Sequence, residues 1–96
     1  MSEHSFKHIS SVLKKISQDY GLEQQINEQR LMTEWASLVG DPIGRISKPE
    51  RIFEGTLYLR LSNSVWRTEL LFQKNAMLQR VNGALGGQVI KDIKFM

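Results

Sequence analysis

His4 and His8 are the only histidines in this chain, and they stand four residues apart. That spacing puts two imidazoles on one face of a helix, an arrangement metal sites use. Nothing completes the set. There is no cysteine, and Glu3 is the one carboxylate close by, so the pair implies no metal centre. Serines are plentiful, but none sits in G-x-S-x-G, and neither G-x-x-x-x-G-K-[ST] nor G-x-G-x-x-G occurs. A small metal-dependent nuclease would need paired carboxylates converging with histidine, and no such pattern is present. The sequence therefore reads as a protein with no catalytic residues and no cofactor.

Binding chemistry is better represented. Arg45, Lys48, Arg51, Arg60, Arg67, Lys74 and Arg80 crowd the second half, with Glu50, Glu54 and Glu69 among them. Residues 1–40 hold four Lys/Arg against five Asp/Glu, and residues 41–96 hold nine against five. A phosphate surface needs cations converging on one face. The interleaved acids set the expectation of weak, salt-sensitive nucleic-acid contact through Arg45, Lys48, Arg51, Arg60, Lys74 and Arg80. Tyr58 is the lone candidate for stacking a base, because there is no row of aromatic residues. "GALG" at 83–86 has the G-x-x-G form of a backbone-clamping loop, but it precedes a final strand instead of joining two helices. Helix termination by Gly83, Gly86 and Gly87 explains it better.

A different kind of contact is suggested by "SNSVWRTELLFQ" at 62–73. Val65, Phe72 and Ala76 fall opposite the main apolar band of the helix expected there. An exposed Phe beside a tryptophan on the rim of that band would make a protein-binding patch; the alternatives are a terminal segment or dimer partner lying over it, or a Phe72 that is simply exposed by itself.

These residues must be held by a small set of elements. Phe6, Ile9, Val12, Leu13, Ile16 and Tyr20 form one helical stripe, closed by Gly21. Leu31, Trp35, Leu38 and Val39 predict a second helix within 23–39, with Asn27 capping its better-formed part and Gly40 ending it. "ERIFEGTLYLRLS" at 50–62 predicts a hairpin about Glu54-Gly55, with Leu57, Leu59 and Leu61 on one face and Tyr58 and Arg60 on the other. Pro49 makes the first of its strands, across 45–53, an irregular or edge strand. The long helix is expected to start at Ser62 as its cap, with Leu61 and Trp66 in staple positions. It carries two apolar lines, Trp66-Leu70-Met77-Val81 and Leu71-Leu78-Leu85. Last comes a strand in which Val89, Ile93 and Phe95 face one way and Ile90, Asp92 and Lys94 the other. The fold expected is α+β in the order α-α-β-β-α-β, one domain over 1–96 with helices on one face of a three-stranded sheet.

The 96 residues suffice for one core, and 41% apolar against 24% charged is an ordinary globular balance. No apolar run reaches the length of a membrane span, and the N-terminus lacks the order of a signal peptide. The expected location is the cytoplasm.

Trp35, Gly40, Pro49, Glu54-Gly55, Leu57, Trp66, Glu69-Leu70, Val81-Asn82, Gly86 and Ile93-Phe95, in that order, closely resemble the pattern of the bacterial DciA family over about residues 30–96. The resemblance implies a KH-like domain. It also implies a non-enzymatic role in which a DnaB-type replicative helicase is bound and its loading onto DNA assisted. Many such proteins also bind DNA, partly through basic extensions; this sequence ends at Met96. Carried over residue by residue, the resemblance makes Trp66 and Arg67 candidates for helicase contact, to which the exposed-face reading adds Phe72. Leu70 is expected in the core, and Asn82 to satisfy backbone at the helix end. The competing reading is a KH-like binder of single-stranded RNA or DNA with no helicase partner.

Overall fold

The computed structural model describes residues 21–96; the expected helix over 6–20, and His4 and His8, lie outside them. Gly21 is left-handed (φ 72°), and helix α1 (Leu22–Val39) begins directly after it. Asn27 is therefore not a cap but an interior residue of α1. Leu31, Trp35 and Val39 follow one another at spacings of four along the buried stripe. Gly40, also at positive φ, closes α1 by donating its N–H to the Ala36 carbonyl.

A single helical turn, α2 (Ile43–Ile46), follows, and it takes Arg45 and Ile46, the first two residues of the expected irregular strand over 45–53. It fits because Gly44 lies against α1: a Cβ built there would come within 2.8 Å of the Ala36 Cα. Only a glycine allows that approach.

The sheet has the order β1-β2-β3, formed by β1 (Ser47–Phe53), β2 (Thr56–Leu61) and β3 (Asp92–Phe95). β1 and β2 make the expected hairpin about Glu54 (φ 49°) and Gly55 (φ 81°), the two positive φ values of a tight primed turn. β1 is an edge strand, and its register shifts between Pro49 and Arg51. Pro49 has no N–H for a ladder, so an edge is where it is tolerated. β3 runs parallel to β2, which requires a long crossover. That crossover is α3 (Trp66–Leu85).

Inward-facing Leu57, Leu59 and Leu61 of β2 join Leu31, Trp35 and Val39 of α1, and Leu70, Met77, Val81 and Leu85 of α3, in one cluster with Val89, Ile90 and Ile93. The helices thus cover one face of an α+β sheet in the order α-α-β-β-α-β, the KH-like layering. Trp35 is buried, and its indole N–H donates to the Ser47 hydroxyl at 2.9 Å, which satisfies the polar edge of a core ring.

Three details depart from the sequence expectation. First, α3 starts at Trp66, not just past Ser62. Asn63 precedes it, its side-chain oxygen accepting from the Val65 N–H at 2.9 Å. Trp66 is then the first residue of the helix and not the fourth, so the staple register with Leu61 is not formed. Second, Leu71 is 52% exposed, lying beside the short β3, and Leu78 is half-buried, so that of this line only Leu85 is fully in the core. Third, Val89 and Ile90 are both buried. The ladder begins only at Asp92, so no alternation applies before it.

Candidate partner and nucleic-acid surfaces

α3 presents its residues at about 100° intervals, which decides what its N-terminal half shows to solvent. Trp66 packs half-buried against the core at the rim of the apolar band. Phe72 is 85% exposed and Val65 77% exposed, with Ala76 exposed beside them. Phe72 is six residues from Trp66, roughly 120° around the axis, so the two rings do not share a face. Arg67 lies on the other flank. It lines a cleft of about 350 Å³ with Leu71, Lys74, Asp92, Lys94 and Phe95, between α3 and β3. Trp66, Arg67 and Phe72 therefore surround the start of α3 and do not converge on one spot.

The basic residues are divided too. Lys48, Arg51 and Arg60 lie on the face of the sheet opposite the core, where Lys48 pairs across the ladder with Arg60 and Arg51 with Tyr58. Lys94, from β3, joins them opposite Tyr58. Sequence reasoning left Lys94 out, since nothing local shows that a parallel β3 sets it beside Tyr58. Arg51 lies over the Tyr58 ring at 4.5 Å from its centre, and Lys94 at 6.0 Å.

Arg60 is bonded to Glu50, the residue displaced by the bulge after Pro49. This bond, helped by the nearby charges of Arg60 and Arg51, holds the Glu50 carboxyl below its ordinary range; the same bond and the Glu50 charge push the Arg60 guanidinium up. Arg45, ion-paired with Asp41 at 2.9 Å, meets Lys48 and Arg60 at a second cleft, of about 240 Å³, with Ser47 and Ser62.

Two candidates stand apart from that face. Lys74 reaches Asp92 at 2.7 Å and ties α3 to β3; its hydrogen bond is the main reason the Asp92 carboxyl is held down. Arg80 has its guanidinium against Gly40, where a Cβ would lie 3.3 Å from its Nη2, so it packs over the end of α1.

The glycine-rich end of α3 is structural. Gly86 takes the left-handed cap (φ 81°), while Gly83 remains within the helix. Asn82 does more than finish the helix. Its Oδ1 accepts from the Val89 N–H at 2.9 Å and the Ile90 N–H at 3.0 Å, and its Nδ2 donates to the Ile90 carbonyl at 2.9 Å. One side chain thereby satisfies the buried backbone just before β3. Among the described residues no group of three or more His, Asp or Glu side chains is placed to hold a metal ion, and no helix is long and apolar enough to cross a membrane.

The structure is a small α+β domain with an exposed apolar group on the outer side of α3 and a cationic open sheet face. Residues 8–95 match the family described as "Dna[CI] antecedent, DciA", and the chain belongs to that family. Related proteins are UPF0232 proteins of actinobacterial names. One from Mycobacterium leprae (strain Br4923) is 26% identical over 86 residues, covering 90% of this chain and 46% of its own. One from Rhodococcus jostii (strain RHA1) is 23% identical over 79 residues, covering 82% and 42%. One from Mycolicibacterium smegmatis is 22% identical over 88 residues, covering 92% and 45%. The chain thus spans a little under half the length of these curated relatives.

Proposed function

We propose that this chain is a DciA-type accessory protein of DNA replication. It binds a DnaB-type replicative helicase and assists its loading onto DNA, with no chemistry of its own. The observation that carries this reading is the family match over residues 8–95. The contact is assigned to the N-terminal half of α3. Phe72 is an exposed aromatic residue, a type enriched at interfaces, with Val65 exposed on the same helix face two turns away. Arg67 supplies a charged flank on another side of the helix start, and Trp66 braces the helix against the core. DNA contact is a second, weaker property, carried by the cations of the open sheet and limited by the acids that engage Arg45 and Arg60.

Biolayer interferometry against the immobilised cognate helicase tests the proposal, with binding expected at micromolar concentration or below. Folded protein that gives no signal at micromolar concentration contradicts it. If the chain were a stand-alone nucleic-acid binder, single strands would bind with a steep salt dependence and the helicase would not be captured at all.

A further inference from the structure

We propose that the open face of the sheet seats single-stranded nucleic acid, with Tyr58 stacking one base and Lys48, Arg51, Arg60 and Lys94 holding the phosphates around it. The inference rests on the nucleic-acid part of the function above and is independent of the helicase contact.

Tyr58 is the aromatic residue in the middle of the central strand, on the side away from the core, and is only partly covered. Its register partners are Arg51 on β1 and Lys94 on β3, so cations approach the ring from both neighbouring strands. The two contacts differ in closeness: Arg51 is 4.5 Å from the ring centre, while Lys94, at 6.0 Å, is at the outer limit for such a pair. Lys94 is therefore the one that yields. A base replaces it on the ring, Arg51 stays in place, and the freed ammonium meets the adjoining phosphate.

The charge of the face fits that occupant. Glu50 is the acid among these cations, and it is already engaged by Arg60; Asp92, at the margin, is engaged by Lys74. Lys48, Arg51 and Lys94 are left in excess. The same surface continues through Lys48 and Arg60 into the cleft holding Arg45 and Ser62, so a strand leaving Tyr58 runs on between further cations and the Ser62 hydroxyl. The occupant is a single strand because a base must be unpaired to lie on a tyrosine ring, and duplex bases are closed to it. Three strands about 4.8 Å apart give a strip roughly 10 Å wide, enough for a few nucleotides and for modest affinity.

Fluorescence anisotropy on the full chain tests this at low salt. The probes are labelled oligothymidylate and oligouridylate of about twelve nucleotides, within the range such surfaces cover, and a blunt duplex of the same length. Either single strand should bind more tightly than the duplex, and the stronger of the two tells whether DNA or RNA is preferred. Tyr58→Leu keeps an apolar, strand-compatible side chain but no ring, and should weaken binding about tenfold; Tyr58→Phe should bind as wild type. Arg51→Gln with Lys94→Gln should reduce the slope of log K against log salt by about 1.4, the value for two lost phosphate contacts on a single strand. Circular dichroism keeps the comparison to folded variants.

The site is overturned if wild type does not bind either single strand, if Tyr58→Leu binds as wild type, or if the duplex or polyglutamate competes as well as oligothymidylate. Helicase capture by the same variants is measured alongside. It should be unchanged, so loss of the sheet site and loss of the helicase reading give different results.

Discussion

Single residues settle much of what this chain can do. Phe72 has almost no packing to lose, so Phe72→Ala should leave the melting temperature within about 3 °C while removing the apolar anchor. Trp66 is different in kind: it is half-buried against the core, and Trp66→Ala should destabilise by about 1–3 kcal/mol, short of the 3–5 kcal/mol of a fully buried ring. A helicase titration on Trp66→Ala has to be corrected for the unfolded fraction, whereas one on Phe72→Ala does not. Asn82→Ala removes the side-chain partner of the Ile90 N–H and carbonyl, while the Val89 N–H keeps the Gly87 carbonyl at 3.0 Å. Leaving buried backbone groups unpaired costs about 1–3 kcal/mol each. Urea denaturation should show a loss of about 2–4 kcal/mol; no loss would mean that water replaces the side chain.

Among the elements, periodicity made the helices and the hairpin legible but left their starts obscure. The leucines of β2 and the valine and leucine stripe of α1 follow the periods of strand and helix directly. The short α2 was not legible because it depends on Gly44 meeting Ala36 of α1, a contact between elements with no local signature. The start of α3 was misread because Ser62 looked like a cap in a run where Asn63 makes the turn. Lys94 escaped notice as part of the open face because its pairing with Tyr58 comes from a parallel strand reached only through α3. Gly44→Ala should destabilise by about 1–3 kcal/mol, the scale of overpacking. The loss should persist in the Ala36→Gly background, since the clash is with the Ala36 Cα and not only its side chain. In the hairpin, Glu54 holds φ 49° without being glycine. Glu54→Asn, which tolerates that region and suits the turn, should raise the denaturation midpoint; a lowered midpoint would show that the Glu54 side chain has a role of its own.

For the molecule as a whole, one face of the sheet is given to the core, while the other face and the outer side of α3 are left to solvent. The Lys74–Asp92 pair fastens β3 to α3 and makes part of the stability depend on pH. The Asp92 carboxyl is held below its usual range, mainly by its hydrogen bond from Lys74. Its contribution is therefore complete above the unfolded carboxyl pKa of about 3.9 and is lost as pH falls through the lower folded value. For a pair this exposed it amounts to about 1 kcal/mol at most. Lys74→Met should be less stable than wild type at pH 6, with the difference closing toward pH 2; a difference that stays constant would assign the effect to packing. The most direct test of the central claim is the affinity of the folded chain for its cognate DnaB-type helicase, measured by interferometry for wild type and for Phe72→Ala. The account predicts micromolar or tighter binding by wild type and at least tenfold weaker binding by an equally stable Phe72→Ala. Helicase binding that is absent in wild type, or unchanged by Phe72→Ala, would contradict it.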